Sequence, residues 1–155
     1  MKPNSREPEM RAFEATVVID ASPEQVWAVL TDVASWPQWD SGVTRVDGSA
    51  RLGERLTIAV AANPGRAFPV KVVTVEPPAQ LVFRGGMPLG LFAGVRTYTL
   101  AAEGATTRFS MKEAYSGPLA SLITRSIPDL GPSFRQFAEG LKRRTEAGGQ
   151  EAAPA

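Results

Sequence analysis

The chain has 155 residues, 43% of them hydrophobic and 21% charged, with a formal net charge of +1. That length supports one domain with one core, and that charge creates no field that selects nucleic acid or an anionic membrane as a partner. There is no Cys and no His, which excludes disulfides, thiolate or imidazole metal sites, Cys nucleophiles, His bases and any Ser-His-Asp triad built from this chain.

Residues 1–9 are polar, contain Pro3 and Pro8, and are expected to form a disordered tail. They lack a signal-peptide pattern, and no apolar run approaches the roughly 20 residues needed to span a bilayer. A cytoplasmic protein without stable membrane insertion is expected. Phe13, Ala15, Val17 and Ile19 then alternate with Glu14, Thr16 and Val18, the period of a strand with one buried face. Ser22 is placed to cap a helix, Pro23 suits its first position, and Gln25 stands where a capping box needs a glutamine. Val26, Trp27, Val29 and Leu30 follow in that helix, which should stop near Asp32. Ser35-Trp36-Pro37-Gln38-Trp39-Asp40 starts a second short helix or turn, ended by Gly42. Six strands are expected next, at about 43–50, 53–61, 68–76, 80–86, 92–101 and 105–115, separated by turn signals such as Asn63-Pro64-Gly65 and Glu103-Gly104. Connections this short imply an antiparallel meander.

After Gly117-Pro118 the period becomes helical: Leu119, Leu122, Ile123, Ile127, Leu130, Phe134, Phe137 and Leu141 form one wide apolar stripe. Pro128 and Pro132 interrupt it, so a kink or break is expected around 127–132. Lys142, Arg143 and Arg144 read as the last turn, where cations meet the negative end of the helix dipole. Residues 147–155 read as a second disordered tail, which leaves a folded domain at 10–146. The expected architecture is α+β: a seven-stranded antiparallel curved sheet, two short helices, and one long kinked C-terminal helix covering the apolar face across a cavity.

Ile19-Asp20-Ala21-Ser22-Pro23-Glu24-Gln25-Val26-Trp27, followed by Asp32, Trp36, Pro37 and Trp39, resembles the N-terminal signature of the START-like, or SRPBCC, superfamily. Arg96-Tyr98-Leu100 and Glu113-Tyr115-Ser116-Gly117-Pro118-Leu119 resemble later segments of its polyketide cyclase/dehydrase-like branch. The resemblance covers about residues 10–145. It implies the helix-grip fold and a deep ligand cavity, shared by lipid carriers, plant hormone binders, polyketide cyclases and ring-hydroxylase subunits. The last of these need His ligands for iron, which this chain lacks.

In a meander, alternate connections lie at one end. The 62–67 loop, the 85–92 loop and the 115–118 exit should therefore meet, as a cavity mouth with 85–92 as its lid. Met87, Leu89, Leu91 and Phe92 give that lid an apolar tip. Strand parity assigns Ile58, Phe68, Val70, Phe83, Tyr98 and Met111 to the cavity wall, and the helix adds Leu122, Ile123, Ile127 and Phe134. Trp39, at the corner, is a further candidate contact. Arg96 and Glu113 share faces with these apolar residues, and a turn centred near Glu103-Gly104 brings them together. Inward charges are costly unless paired, so the two form either a ligand anchor or a structural ion pair.

The expected function is binding or transport of a hydrophobic small molecule, such as a lipid, quinone or polyketide-like compound, without cofactor or metal. Two alternatives remain open. One is a cofactor-independent cyclase or dehydratase using Arg96, Glu113 and Tyr98. The other is a protein-interaction module using the apolar loop tip. A monomer or weak homodimer is expected.

Overall fold

The computed structural model describes residues 11–152. Strand β1 (Arg11–Ile19) leads to helix α1 (Pro23–Thr31) and a 3-10 helix at Val33–Gln38. Strands β2 (Val43–Asp47), β3 (Arg55–Val60), β4 (Ala67–Glu76) and β5 (Gln80–Met87) follow. One 3-10 turn at Pro88–Gly90 then joins β5 to β6 (Phe92–Glu103), and β7 (Thr106–Ser116) precedes α2 (Ala120–Thr124) and α3 (Gly131–Ala152). The seven strands form a single antiparallel sheet in the order β1-β7-β6-β5-β4-β3-β2. Only β1 is out of sequence order, because it pairs with the last strand. Register shifts between Val72 and Thr74, and an irregularity of this kind bends a strand and helps the sheet curl.

Local chemistry accounts for the element ends. The Ser22 hydroxyl accepts from the Gln25 N–H at 3.2 Å, and the Ser22 N–H donates back to the Gln25 side chain at 2.9 Å. This is the reciprocal box expected from the sequence, with Pro23 in the first turn. The next six residues turn more tightly, around the buried Trp36. Its indole N–H donates to the Leu30 carbonyl at 3.0 Å, and its own carbonyl accepts from the Ser41 hydroxyl at 2.6 Å. Trp36 thereby fixes the corner where the helices meet the sheet.

Of the kink or break expected around 127–132, the structure has the break, which divides the C-terminal stripe into α2 and α3. Ile127-Pro128-Asp129-Leu130 breaks the stripe, since Pro128 has no N–H to donate and the Asp129 carboxylate instead takes the Gly131 N–H at 2.9 Å. Pro132 falls in the first turn of α3, where its missing donor costs nothing. The helix then continues to Ala152, past the boundary expected at 146, so the C-terminal tail anticipated from residue 147 is helical through 152. The tail expected at residues 1–9 lies outside the described residues.

α3 rests mainly on β1 and then on α1, touching β7 less, and its Phe134, Phe137, Ala138 and Leu141 are buried. Near its middle Gly140 lies against the Asp40 carbonyl; a Cβ there would come within 2.1 Å of that oxygen. A residue that weakens a helix by about 1 kcal/mol relative to alanine is thus required for the close approach. Asp40 also accepts from Gln136 at 2.7 Å and from Arg143 at 2.9 Å, tying the corner to α3. The basic cluster is therefore mid-helix, not a last turn: Lys142 donates to the Val18 carbonyl at 2.8 Å and to Glu146 at 2.7 Å.

The core lies between the inner sheet face and these helices. Leu56, Val72, Leu81 and Leu141 are fully buried, so truncating any of the leucines to alanine costs about 2–5 kcal/mol. No helix among the described residues is long and apolar enough to cross a membrane.

Candidate functional site

The inner sheet face is dry at one end and reached by solvent at the other. Along β3, Leu56 and Ile58 are buried and Val60 is half-buried. On β4, Val72 is fully buried, while Val70 and Phe68 are half-buried. On β5 the sequence runs from buried Leu81 and Phe83 to Met87, which is exposed. The antiparallel pairing puts the 62–67, 85–92 and 115–118 segments at this exposed end of the sheet. The 3-10 turn at Pro88–Gly90 meets the exit of β7, with the Leu119 N–H on the Leu91 carbonyl at 2.9 Å. Ala67, at the start of β4, and Met87, at the end of β5, border the same end.

The dry end is filled by rings. Tyr98 sits among Phe83, Trp36, Phe109 and Phe137, with centroid separations of 5.5, 6.1, 6.2 and 5.8 Å. Between sheet and helices, the inner face therefore runs from an aromatic floor to side chains that gain exposure toward the Pro88–Gly90 end. A separate shallow depression lined by Arg45, Asp47, Thr57, Ala59 and Ala67 lies on the outer side of β2–β4.

The polar centre stands where the floor gives way to the open half. Arg96 and Glu113 are directly opposite each other on β6 and β7, as the hairpin register dictates. The Arg96 Nε–H donates to Glu113 Oε1 at 2.5 Å, and the two side chains retain 27% and 15% of their exposure. From α3, the Phe134 ring lies 4.8 Å from the guanidinium carbon, a cation–π contact that shields the other side of the charge. Burial opposes the charge on Arg96, but the Glu113 carboxylate and Tyr98 outweigh it, so its pKa is raised and it stays a cation at every working pH.

Tyr98 is fully buried. Burial raises its pKa, with partial relief from the Arg96 charge, so the phenol is held protonated. Its hydroxyl interacts with the Arg96 guanidinium without forming a well-aligned hydrogen bond to the described residues. The Arg96–Glu113 contact uses only Nε and Oε1, not the terminal Nη atoms or Oε2.

The other sequence-predicted residues distribute along the cleft. Phe83 and Met111 belong to the packed floor with Tyr98, and buried Ile58 pairs across strands with half-buried Phe68. Phe92 stacks on Tyr115 at 5.6 Å beneath the mouth. Val70, Phe68, Ile123 and Ile127 are half-buried toward the open end. Leu122 does not face the cleft floor: it is 62% exposed on α2, because the break at Pro128 uncouples that helix from the stripe of α3. Trp39 packs on Phe137 at 5.2 Å at the corner, with its indole N–H buried and without a partner among the described residues.

Sequence reasoning missed Gly94. It lies on the inner face of β6, opposite Gly85 and Tyr115. A Cβ there would stand 3.0 Å from the Tyr115 ring and 3.1 Å from Glu113 Oε2. Its missing side chain makes room for the carboxylate beside Arg96. A glycine inside a strand was the available signal.

An uncharacterised protein of Mycobacterium tuberculosis strain H37Rv is 26% identical over 141 residues, spanning 87% of this chain and 84% of its own. Among solved structures, the Zhui aromatase/cyclase from Streptomyces sp. R1128 superposes with a TM-score of 0.73 at 14% identity, covering 94% of this chain and 99% of that one. A START superfamily protein from Mycobacterium smegmatis gives 0.65 at 17% identity, covering 88% and 97%. These structures establish the shared helix-grip fold. The family model described as polyketide cyclase / dehydrase and lipid transport matches residues 10–146, and the chain belongs to that family.

Proposed function

We propose that the protein binds an apolar small molecule in the open half of the cleft, with the polar end of that molecule at Arg96 and Glu113. The carrying observation is that inward-facing side chains of β3–β6 become solvent-exposed toward one end, above a floor holding one ion pair. Apolar surface on an inner sheet face that stays wet is stabilised by any occupant that dries it, at about 25 cal/mol per Å². Half-buried Phe68, Val70, Phe92 and Ile127 supply that surface. The family description and the fold shared with an aromatase/cyclase support the same reading.

The neutral fluorescent probe N-phenyl-1-naphthylamine tests it directly. Saturable enhancement is expected with the wild-type protein, and loss of at least tenfold in affinity with Val70→Glu, which places a charge on the half-buried wall. No saturable binding, or equal binding by the variant, would refute the site.

A cyclase or dehydratase is the second reading. It is favoured by the Tyr98 phenol, kept protonated by burial and adjacent to the Arg96 cation, which together form a donor pair for a developing oxyanion. Glu113 would then be the proton acceptor.

A further inference from the structure

We infer that the cleft selects ligands whose buried end is electrically neutral and carries both a hydrogen-bond donor and an acceptor, and that it discriminates against carboxylates. This rests on the ligand-binding reading above and names the ligand chemistry of that site.

Three observations carry it. First, Arg96 and Glu113 cancel in charge. Their contact is one-point, Nε to Oε1, so the pair neutralises itself without consuming its outward-facing atoms. An arriving anion would leave one uncompensated negative charge among Phe134, Phe92 and Tyr98, and an arriving cation one positive charge. Unpaired charge in such surroundings is strongly disfavoured.

Second, the remaining atoms are of both kinds. The Arg96 Nη groups are donors only, and Glu113 Oε2 is an acceptor only. Neither takes part in the Nε–Oε1 contact that joins the pair. A hydroxyl or enol satisfies both at once: its oxygen accepts from Nη and its proton goes to Oε2. A primary amide does the same with its carbonyl and N–H. An ether or ester satisfies only the donor side.

Third, the fully buried Tyr98 phenol beside Arg96 is held protonated, so the floor under the pair adds no charge that an ionic head group could match.

The probe N-phenyl-1-naphthylamine reports displacement by ligands that share one apolar body: 2-naphthol, 2-naphthamide, 2-methoxynaphthalene and 2-naphthoate. At pH 7 the naphthol and the amide are expected to displace it at concentrations at least tenfold lower than the ether or the carboxylate. In the double variant Arg96→Met/Glu113→Leu the ranking is expected to collapse, with all four compounds displacing whatever probe is bound at concentrations within about threefold of one another. Tightest binding by naphthoate would overturn the inference and make Arg96 a carboxylate anchor. Equal displacement by all four would overturn it while leaving the cleft intact. A probe that fails to bind the wild type refutes the cleft itself, and the inference with it.

Discussion

Removing one partner of the Arg96–Glu113 pair should destabilise the fold far more than removing both. Glu113→Leu leaves the guanidinium facing Phe134 with no carboxylate. A fully buried pair broken this way costs about 3–5 kcal/mol. Here the side chains keep 27% and 15% of their exposure, and partial hydration of the orphaned charge reduces the cost to about 2 kcal/mol. The cation–π contact with Phe134, worth about 1 kcal/mol, is already present and replaces nothing. Arg96→Met should cost a similar amount, because Glu113 is then the orphan. The double variant removes both desolvation penalties and should lie within about 1 kcal/mol of wild type, a coupling of about 4 kcal/mol. Equilibrium urea unfolding at pH 7 measures all four corners. With a slope of about 2 kcal/mol per molar, each single variant shifts the midpoint down by about 1 M. Single variants within about 0.5 kcal/mol of wild type, or strictly additive effects, would refute the claim that these charges depend on each other.

Two further outcomes follow from individual side chains. Tyr98→Phe should change stability at pH 7 by no more than about 1 kcal/mol, since the hydroxyl makes no well-aligned hydrogen bond to the described residues. Its raised pKa means that above pH 10 the unfolded chain releases this proton before the folded one does. Wild-type stability should therefore be flat below that pH and fall above it, and Tyr98→Phe should flatten the decline; identical alkaline slopes in urea titrations would contradict this. Leu89 holds φ at 63° while 95% exposed, so it carries backbone strain with no burial to offset it. Leu89→Asn should raise stability by about 1 kcal/mol, seen as a rise of about 2–4 °C in Tm, whereas an unchanged or lower Tm would locate the strain elsewhere.

What could be read from the chain was what short-range chemistry determines. The capping box at Ser22 and Gln25, the strand alternation from Phe13, and the break at Pro128 each depend on residues within one turn or one hairpin. The Arg96–Glu113 pair was legible for the same reason, since the turn at Gly104 sets the register of two adjacent strands. Contacts between distant elements were not. Nothing near Arg96 in sequence announces Phe134, and nothing near Gly140 announces the Asp40 carbonyl. Leu122 was assigned to the wall by extending one helical stripe through a proline, and the break gives α2 its own orientation. The small polar run after Glu146, with two glycines, has poor helix propensity, yet α3 continues through it to Ala152.

Among the described strands, β1 is synthesised first and pairs with β7, synthesised last, at a separation on the order of 100 residues. α3, which covers β1, is made later still. On a ribosome, the face bearing Phe13, Ala15 and Ile19 has no native partner until nearly the whole chain has emerged. The β2–β6 meander can assemble progressively, whereas its closure waits for both chain ends to come together. Shortening either end of the domain therefore removes the same seam, and the cleft acquires its Arg96–Glu113–Phe134 centre only when that seam forms.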